Sequence, residues 1–247
     1  MMPLLAYLAH RRDCKTKQAQ RKKAISSLPP EFHGELDHFE REILNDPVKR
    51  TASHVRSGEW KPIDILRAYG KRAIQVHEQT NCLTEIMIPS AVEWLAHSFA
   101  SDTGHGGEGV AKAELGGVCL SGSLAGIPVS LKDMVNVKGF DSCIGYSKLT
   151  GHPADSDAPL VKLLKDAGAV PFVKTNTPIT LLSFECANDV RLRLAPLPDA
   201  ANDGRCGGVP KTRTSRASHL ADLLVARAPS WLLVGVELES APMSLAV

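Results

Sequence analysis

The sequence has no apolar run that could cross a bilayer, few aromatic residues, and no clustering among its cysteines or histidines. A membrane-spanning helix needs about 20 apolar residues in succession. The apolar run from Pro3 to Ala9 is far shorter and precedes a basic cluster, whereas a secretory signal places its charge first. Aromatic residues make up 5% of the 247 residues. The cysteines (Cys14, Cys82, Cys119, Cys143, Cys186 and Cys206) are scattered, without the paired spacing of a zinc site or a disulfide framework. Reduced thiols in a cytoplasmic protein are therefore the expectation. His105 and His152 stand alone in glycine- or proline-rich segments, so no metal constellation is foreseen. A net charge of +2, averaged over the chain, singles out no class of partner, and no nucleic-acid partner is expected.

What is present fits an ordinary soluble domain, with 43% apolar and 23% charged residues. The length allows one large domain or two small ones and is enough to bury a sizeable core. Charge is unevenly spread. Arg11, Arg12, Lys15, Lys17, Arg21, Lys22 and Lys23 are opposed only by Asp13. The plain reading is a solvated helix face or a frayed terminus. A weak contact with an anionic membrane surface, or a transit peptide, is the sharper one. The basic extension is assigned to residues 1–34, with a boundary signalled by Ser26-Ser27-Leu28-Pro29-Pro30.

A short helical pattern runs from Phe39 to Leu44 and stops at Asp46-Pro47. A stronger helix opens at Lys61-Pro62, where a first turn tolerates proline, and carries Ile63, Leu66, Tyr69, Ile74 and His77 at helical spacing. Ala91 to Ala96 suggests another helix, and 101–117 reads as a polar, glycine-rich loop. The pattern then changes. Ile127 to Leu131 is a short apolar run suited to a buried strand, Leu160 to Gly168 a compact helix closed by glycine, and Ala169 to Lys174 the next strand. Strand, crossover helix and strand predict an α/β sheet.

The distinctive stretch is Gly122-Ser123-Leu124-Ala125-Gly126-Ile127-Pro128-Val129-Ser130-Leu131-Lys132-Asp133-Met134. It is followed by Val137 to Ser142, Asp155 to Val161, Ala167 to Pro178 and Ser183 to Asn188, and preceded by Thr80-Asn81-Cys82-Leu83-Thr84-Glu85. This ordered series resembles the amidase-signature enzymes, in particular the branch of fungal acetamidases and fatty-acid amide hydrolases. The resemblance covers residues 35–190. It implies the N-terminal fragment of the amidase-signature fold, a mixed sheet flanked by helices. It also implies hydrolysis of a small-molecule carboxylic amide, without metal or organic cofactor, by a serine nucleophile, a bridging serine in a cis peptide, and a lysine.

Lys132 falls on the lysine of that motif and is the candidate catalytic residue. A lysine accepts a proton only when neutral, and burial among apolar residues is the means of making it so. Leu131 and Met134 suit such a setting, so Lys132 is expected near a strand end and mostly buried. Taken without the resemblance, it would be an ordinary strand-end lysine with its head in water. Asp133 either orients Lys132 or ends the strand on a charge. Asn176, in a loop leaving a strand end, divides between loop hydrogen bonding and site structure.

After Val190 the resemblance stops. The family pattern calls for Gly-Gly-Ser-Ser-Gly-Gly, carrying the bridging serine, and then Gly-Thr-Asp-(Ile/Val)-(Gly/Ala)-Gly-Ser, carrying the nucleophile. The chain instead runs into an aperiodic tail rich in arginine, proline and alanine, whose serines (Ser215, Ser218, Ser230, Ser240 and Ser244) lie in no such context. The genetic code suggests why. Joining the third base of each codon to the first two of the next, the codons from Gly235 to Val247 permit Gly-Thr-Gly-Ile-Gly-Thr-Asp-Val-Ala-Gly-Ser. The Pro242–Met243 junction must end in AT, which allows Asp, and Met243–Ser244 can read GTC, which is Val. The same offset from Ser215 to Asp222 permits Pro-Gly-x-Ser-Ser-Gly-Gly. Residues 191–247 therefore read as a family coding region translated out of frame, although 191–214 do not enter that frame cleanly. A splice boundary, a mutation or a sequence-assembly error would each produce it. The expectation is an inactive amidase-like chain with a poorly ordered tail. The alternatives are an amidase that recruits another serine and an interaction or lipid-surface protein acting through its basic N-terminus.

Overall fold

The computed structural model describes residues 2–98, 116–178 and Leu181. Most of the expected 101–117 loop, and the whole of the 191–247 tail, lie outside the described residues. Among the described residues the elements are α1 (Met2–Ser26), α2 (His38–Asn45), α3 (Val48–Arg56), α4 (Pro62–Thr80), β1 (Leu83–Ile86), α5 (Ile88–Ala96), β2 (Pro128–Lys132), α6 (Pro159–Asp166) and β3 (Val170–Thr175).

Local chemistry sets the helix ends. The Asp37 carboxylate accepts the Glu40 N–H, and the Glu40 side chain accepts the Asp37 N–H, a reciprocal cap that starts α2. Pro62 occupies the first turn of α4, and Asn81 ends that helix at φ 51°, in the left-handed region. The sequence pattern did not foresee α3. Its inward residues Val48, Thr51, Ala52 and Val55 keep helical spacing, but two of the four are small or polar, so no apolar stripe announces it.

β3 is the central strand, antiparallel to β1 and parallel to β2. All its residues are buried, as a strand covered on both faces and both edges requires. The β2–α6–β3 unit matches the strand–helix–strand reading, whereas β1 was not recognised as a strand. Phe32, Leu66, Ile88, Val118 and Phe172 share one buried cluster that joins the helices to the sheet.

Two close backbone approaches fix where β2 begins. A Cβ on Gly122 would lie 2.2 Å from the Ala167 carbonyl oxygen, and one on Gly168, which has φ +93°, would lie 2.5 Å from that of Cys119. Glycine at both positions lets the chain before β2 lie against the end of α6. There Leu124 N–H donates to Ala167 O at 2.7 Å and Gly126 N–H to Gly168 O at 2.9 Å.

α1 docks with a polar face. Its buried or half-buried positions include His10, Cys14, Lys17, Arg21 and Ile25, spaced along one stripe, while Arg11, Arg12, Lys15, Lys22 and Lys23 are exposed. Arg21 donates to Leu83 O at 3.0 Å and to Asn81 Oδ1 at 2.7 Å, so the helix lies against β1. Two cations of the basic cluster are thus used internally. Cys82, Cys119 and Cys143 take part in no disulfide. None of the described helices is long and apolar enough to cross a membrane.

Candidate active site

β2 ends at Lys132, which lies in register with Thr175 of β3. The Asp133 N–H donates to Thr175 O at 2.9 Å and carries the pairing one residue further. Along Leu131, Lys132 and Asp133 burial alternates as successive side chains change faces: buried, exposed, buried. Lys132 therefore stands at a strand end, but its expected burial is corrected: its side chain is exposed, with no hydrogen-bond or ion-pair partner among the described residues. Met134, expected to shield it, is 48% exposed, while Leu131 packs inward against Val137 and Val161. The physical reason is local. No described strand pairs with the outer edge of β2.

Asp133 is held from three sides. Its carboxylate accepts the Thr84 hydroxyl at 3.0 Å and the Ile144 N–H at 2.8 Å, and it lies 3.8 Å from Lys174 Nζ. It anchors the strand end rather than merely closing it on a charge.

The most deeply buried lysine among the described residues is Lys174, fully enclosed in β3. Its Nζ donates to Asp141 O at 2.5 Å and to Ser142 Oγ at 2.9 Å. Burial pulls its pKa below the ordinary lysine value, opposed chiefly by the charge of Asp133. Ser142 beside a buried lysine invites comparison with a nucleophile–base pair. Three N–H donors facing three acceptors, one of them a carboxylate, instead fit an ammonium that cross-links strand and loop. Sequence reading passed over Lys174. The available signal was a lysine closing an otherwise apolar central strand, where an unpaired charge would be costly.

The polar cluster extends to α1. Lys17 Nζ pairs with Glu85 of β1 and donates to Asp141 Oδ2 at 2.7 Å, and the same carboxylate oxygen accepts the Gly151 N–H at 2.9 Å. Burial acts to lower the Lys17 pKa, but the hydrogen bonds and charges of Asp141 and Glu85 outweigh it and leave it raised. Burial acts to raise Asp141, yet Lys17 and the Gly151 N–H hold it below the usual carboxylate value. Glu85 is raised, burial prevailing over Lys17. In the loop after β3, Asn176 N–H donates to Cys82 O at 2.9 Å, which gives Asn176 a loop-fixing bond. The Thr177 hydroxyl is buried without a partner among the described residues. No group of three or more metal-binding side chains occurs among the described residues.

By class this is an α/β protein that presents a lysine at the carboxyl end of a sheet strand, the edge at which open α/β sheets carry their ligand sites. A family model described as Amidase matches residues 64–194. Among relatives, Amidase 1 of Gibberella moniliformis is 40% identical over 146 residues, which span 58% of this chain and 26% of that protein. Fatty-acid amide hydrolase 1 of Sus scrofa is 36% identical over 146 residues, spanning 59% of this chain and 22% of that one. A solved fatty acid amide hydrolase superposes with a TM-score of 0.52 at 22% identity, over 73% of this chain and 32% of that chain, a likeness of fold. The chain belongs to the amidase family. It spans about a quarter of the length of the curated relatives it matches.

Proposed function

We propose that the chain carries the lysine-bearing part of a carboxylic-amide hydrolase, with Lys132 as the proton-accepting residue, and that the 247-residue polypeptide does not itself turn over. The observation that carries the reading is Lys132 at the end of β2, with Asp133 anchored behind it by Thr84, Ile144 and Lys174. In the complete reaction a serine oxygen would attack the amide carbonyl carbon and pass its proton through the bridging serine to the lysine. The amine leaves with a proton, and water releases the acid. Neither metal nor organic cofactor takes part. Lys132 hydrogen-bonds to no hydroxyl among the described residues, and no serine of the family motifs occurs in the sequence. Losing the nucleophile of a comparable triad costs roughly 10⁶ in turnover. Oxyanion-binding N–H groups beside that nucleophile would be lost with it. The tail, 191–247, is read as an out-of-frame segment and 35–190 as the family part. A cytoplasmic location goes with this reading. The test is hydrolysis of a simple aliphatic amide and a fatty amide by the purified chain. No product above buffer is expected. Turnover that disappears in Lys132→Ala would overturn the inactive reading and favour an enzyme that recruits another serine.

One observation favours a second, non-enzymatic role. Leu4, Leu5, Tyr7 and Leu8 are exposed on the first turns of α1, next to exposed Arg11, Arg12 and Lys15. Apolar and basic side chains so placed suit a weak contact with an anionic lipid surface. Co-sedimentation with phosphatidylserine vesicles should weaken with salt and be lost when residues 2–8 are deleted. Equal recovery with neutral and anionic vesicles would dismiss it.

A further inference from the structure

We propose that Lys17 is a positioning residue for the strand end that carries Lys132, acting from α1 through the loop 133–151. Its bearing on hydrolysis rests on the role proposed for Lys132. Its test reads the loop alone. Lys17 lies outside the matched stretch 64–194, so the family assignment gives it no part. The loop that leaves β2 joins no strand of the sheet; besides isolated bridges of Lys138 with Ala154 and Asp141 with Pro153, two of its own carboxylates hold it in place. Asp133 binds the Ile144 N–H, and Asp141 binds the Gly151 N–H. Lys174 links the two points, donating to Asp141 O while facing Asp133.

Asp141 must itself be held, and Lys17 does this by donating to the carboxylate oxygen that also accepts the Gly151 N–H, while pairing with Glu85 of β1. The three side chains are 17%, 15% and 7% exposed for Lys17, Glu85 and Asp141, so solvent screens the pairing weakly. Removing Lys17 would leave two nearly buried carboxylates facing each other with no cation paired to either, since Lys174 nearby is engaged by the Asp141 carbonyl oxygen and Ser142. Like charges so placed repel, and the loop is the part free to move away, because Glu85 is fixed in β1. The consequence is local opening of 133–151 and fraying of the Asp133 N–H bond to Thr175 O, immediately after Lys132.

Residue-resolved amide hydrogen exchange on the full chain tests this. In Lys17→Met, exchange at Asp133, Ile144 and Gly151 should accelerate about tenfold or more, while Phe172 and Val173 in β3 keep the wild-type rate. Lys17→Arg, which restores the cation, should recover most of the protection. Should Lys17→Met fail to fold, Lys17→Gln gives the same reading, since it removes the cation while keeping a polar side chain between the two carboxylates. Unchanged exchange in the loop would overturn the proposal, and so would equal acceleration in loop and β3, which would mean loss of stability throughout. Neither result depends on whether Lys132 accepts a proton.

Discussion

At the scale of single residues, the ionisable groups of this chain differ in what they reveal when considered one at a time. His77 lies near the end of α4, and its Nδ1 accepts the Leu83 N–H at 3.1 Å, a bond available only to an unprotonated nitrogen. Burial, with the Arg21 charge as the lesser cause, lowers its pKa from 6.5 to about 4. The unfolded chain thus takes up a proton near pH 6.5 that the folded chain refuses until about pH 4. Stability should fall as pH drops through that window and level off below it. His77→Gln keeps an acceptor for Leu83 and removes the titration, so the urea midpoint should lose this part of its pH dependence. An unaltered pH profile in the variant would assign the acid sensitivity elsewhere. Lys132 and Lys174 show the opposite lesson about reading residues singly. The motif singled out the exposed lysine, while the buried one, which organises the loop, attracted no notice. A side chain's burial depends on what packs over it from far along the chain, and no local pattern records that.

At the scale of elements, what could be read from sequence divides by how each element is stabilised. α4 and α6 were visible because proline or glycine punctuates their ends and their apolar residues recur at helical spacing. β2 and β3 were visible as short apolar runs either side of a helix, and their parallel pairing follows from that order. β1 was missed because Leu83-Thr84-Glu85-Ile86 alternates weakly and its polar residues turn toward partners rather than water. Thr84 meets Asp133, and Glu85 meets Lys17. The same applies to α1. Its basic residues looked like a solvated face, yet Lys17 and Arg21 point inward because the edge of β1 offers them carboxylate and carbonyl acceptors. Elements held by apolar faces announce themselves in sequence, whereas those held by specific polar contacts need the partner in view. The candidate site mixes both kinds. The position of Lys132 at the end of β2 was legible, and the network that supports that end was not.

At the scale of the whole molecule, this amidase-family chain forms the strand that ends at Lys132, while the Gly-Gly-Ser-Ser-Gly-Gly and Gly-Thr-Asp stretches do not occur in its sequence. The two facts are reconciled if the lysine part and the serine part are encoded in different reading frames. Such a chain would build the β2–α6–β3 unit and its supporting network, since those contacts are made among residues up to Thr175. It would still fail at chemistry, because a proton acceptor without a nucleophile has nothing to activate. Sequencing the DNA that encodes residues 215–247, and translating it from the third base of each codon, tests this most directly. The account predicts that the shifted frame spells Ser-Ser-Gly-Gly first and Gly-Thr-Asp with a closing Gly-Ser after it. A shifted frame that lacks either motif would contradict it.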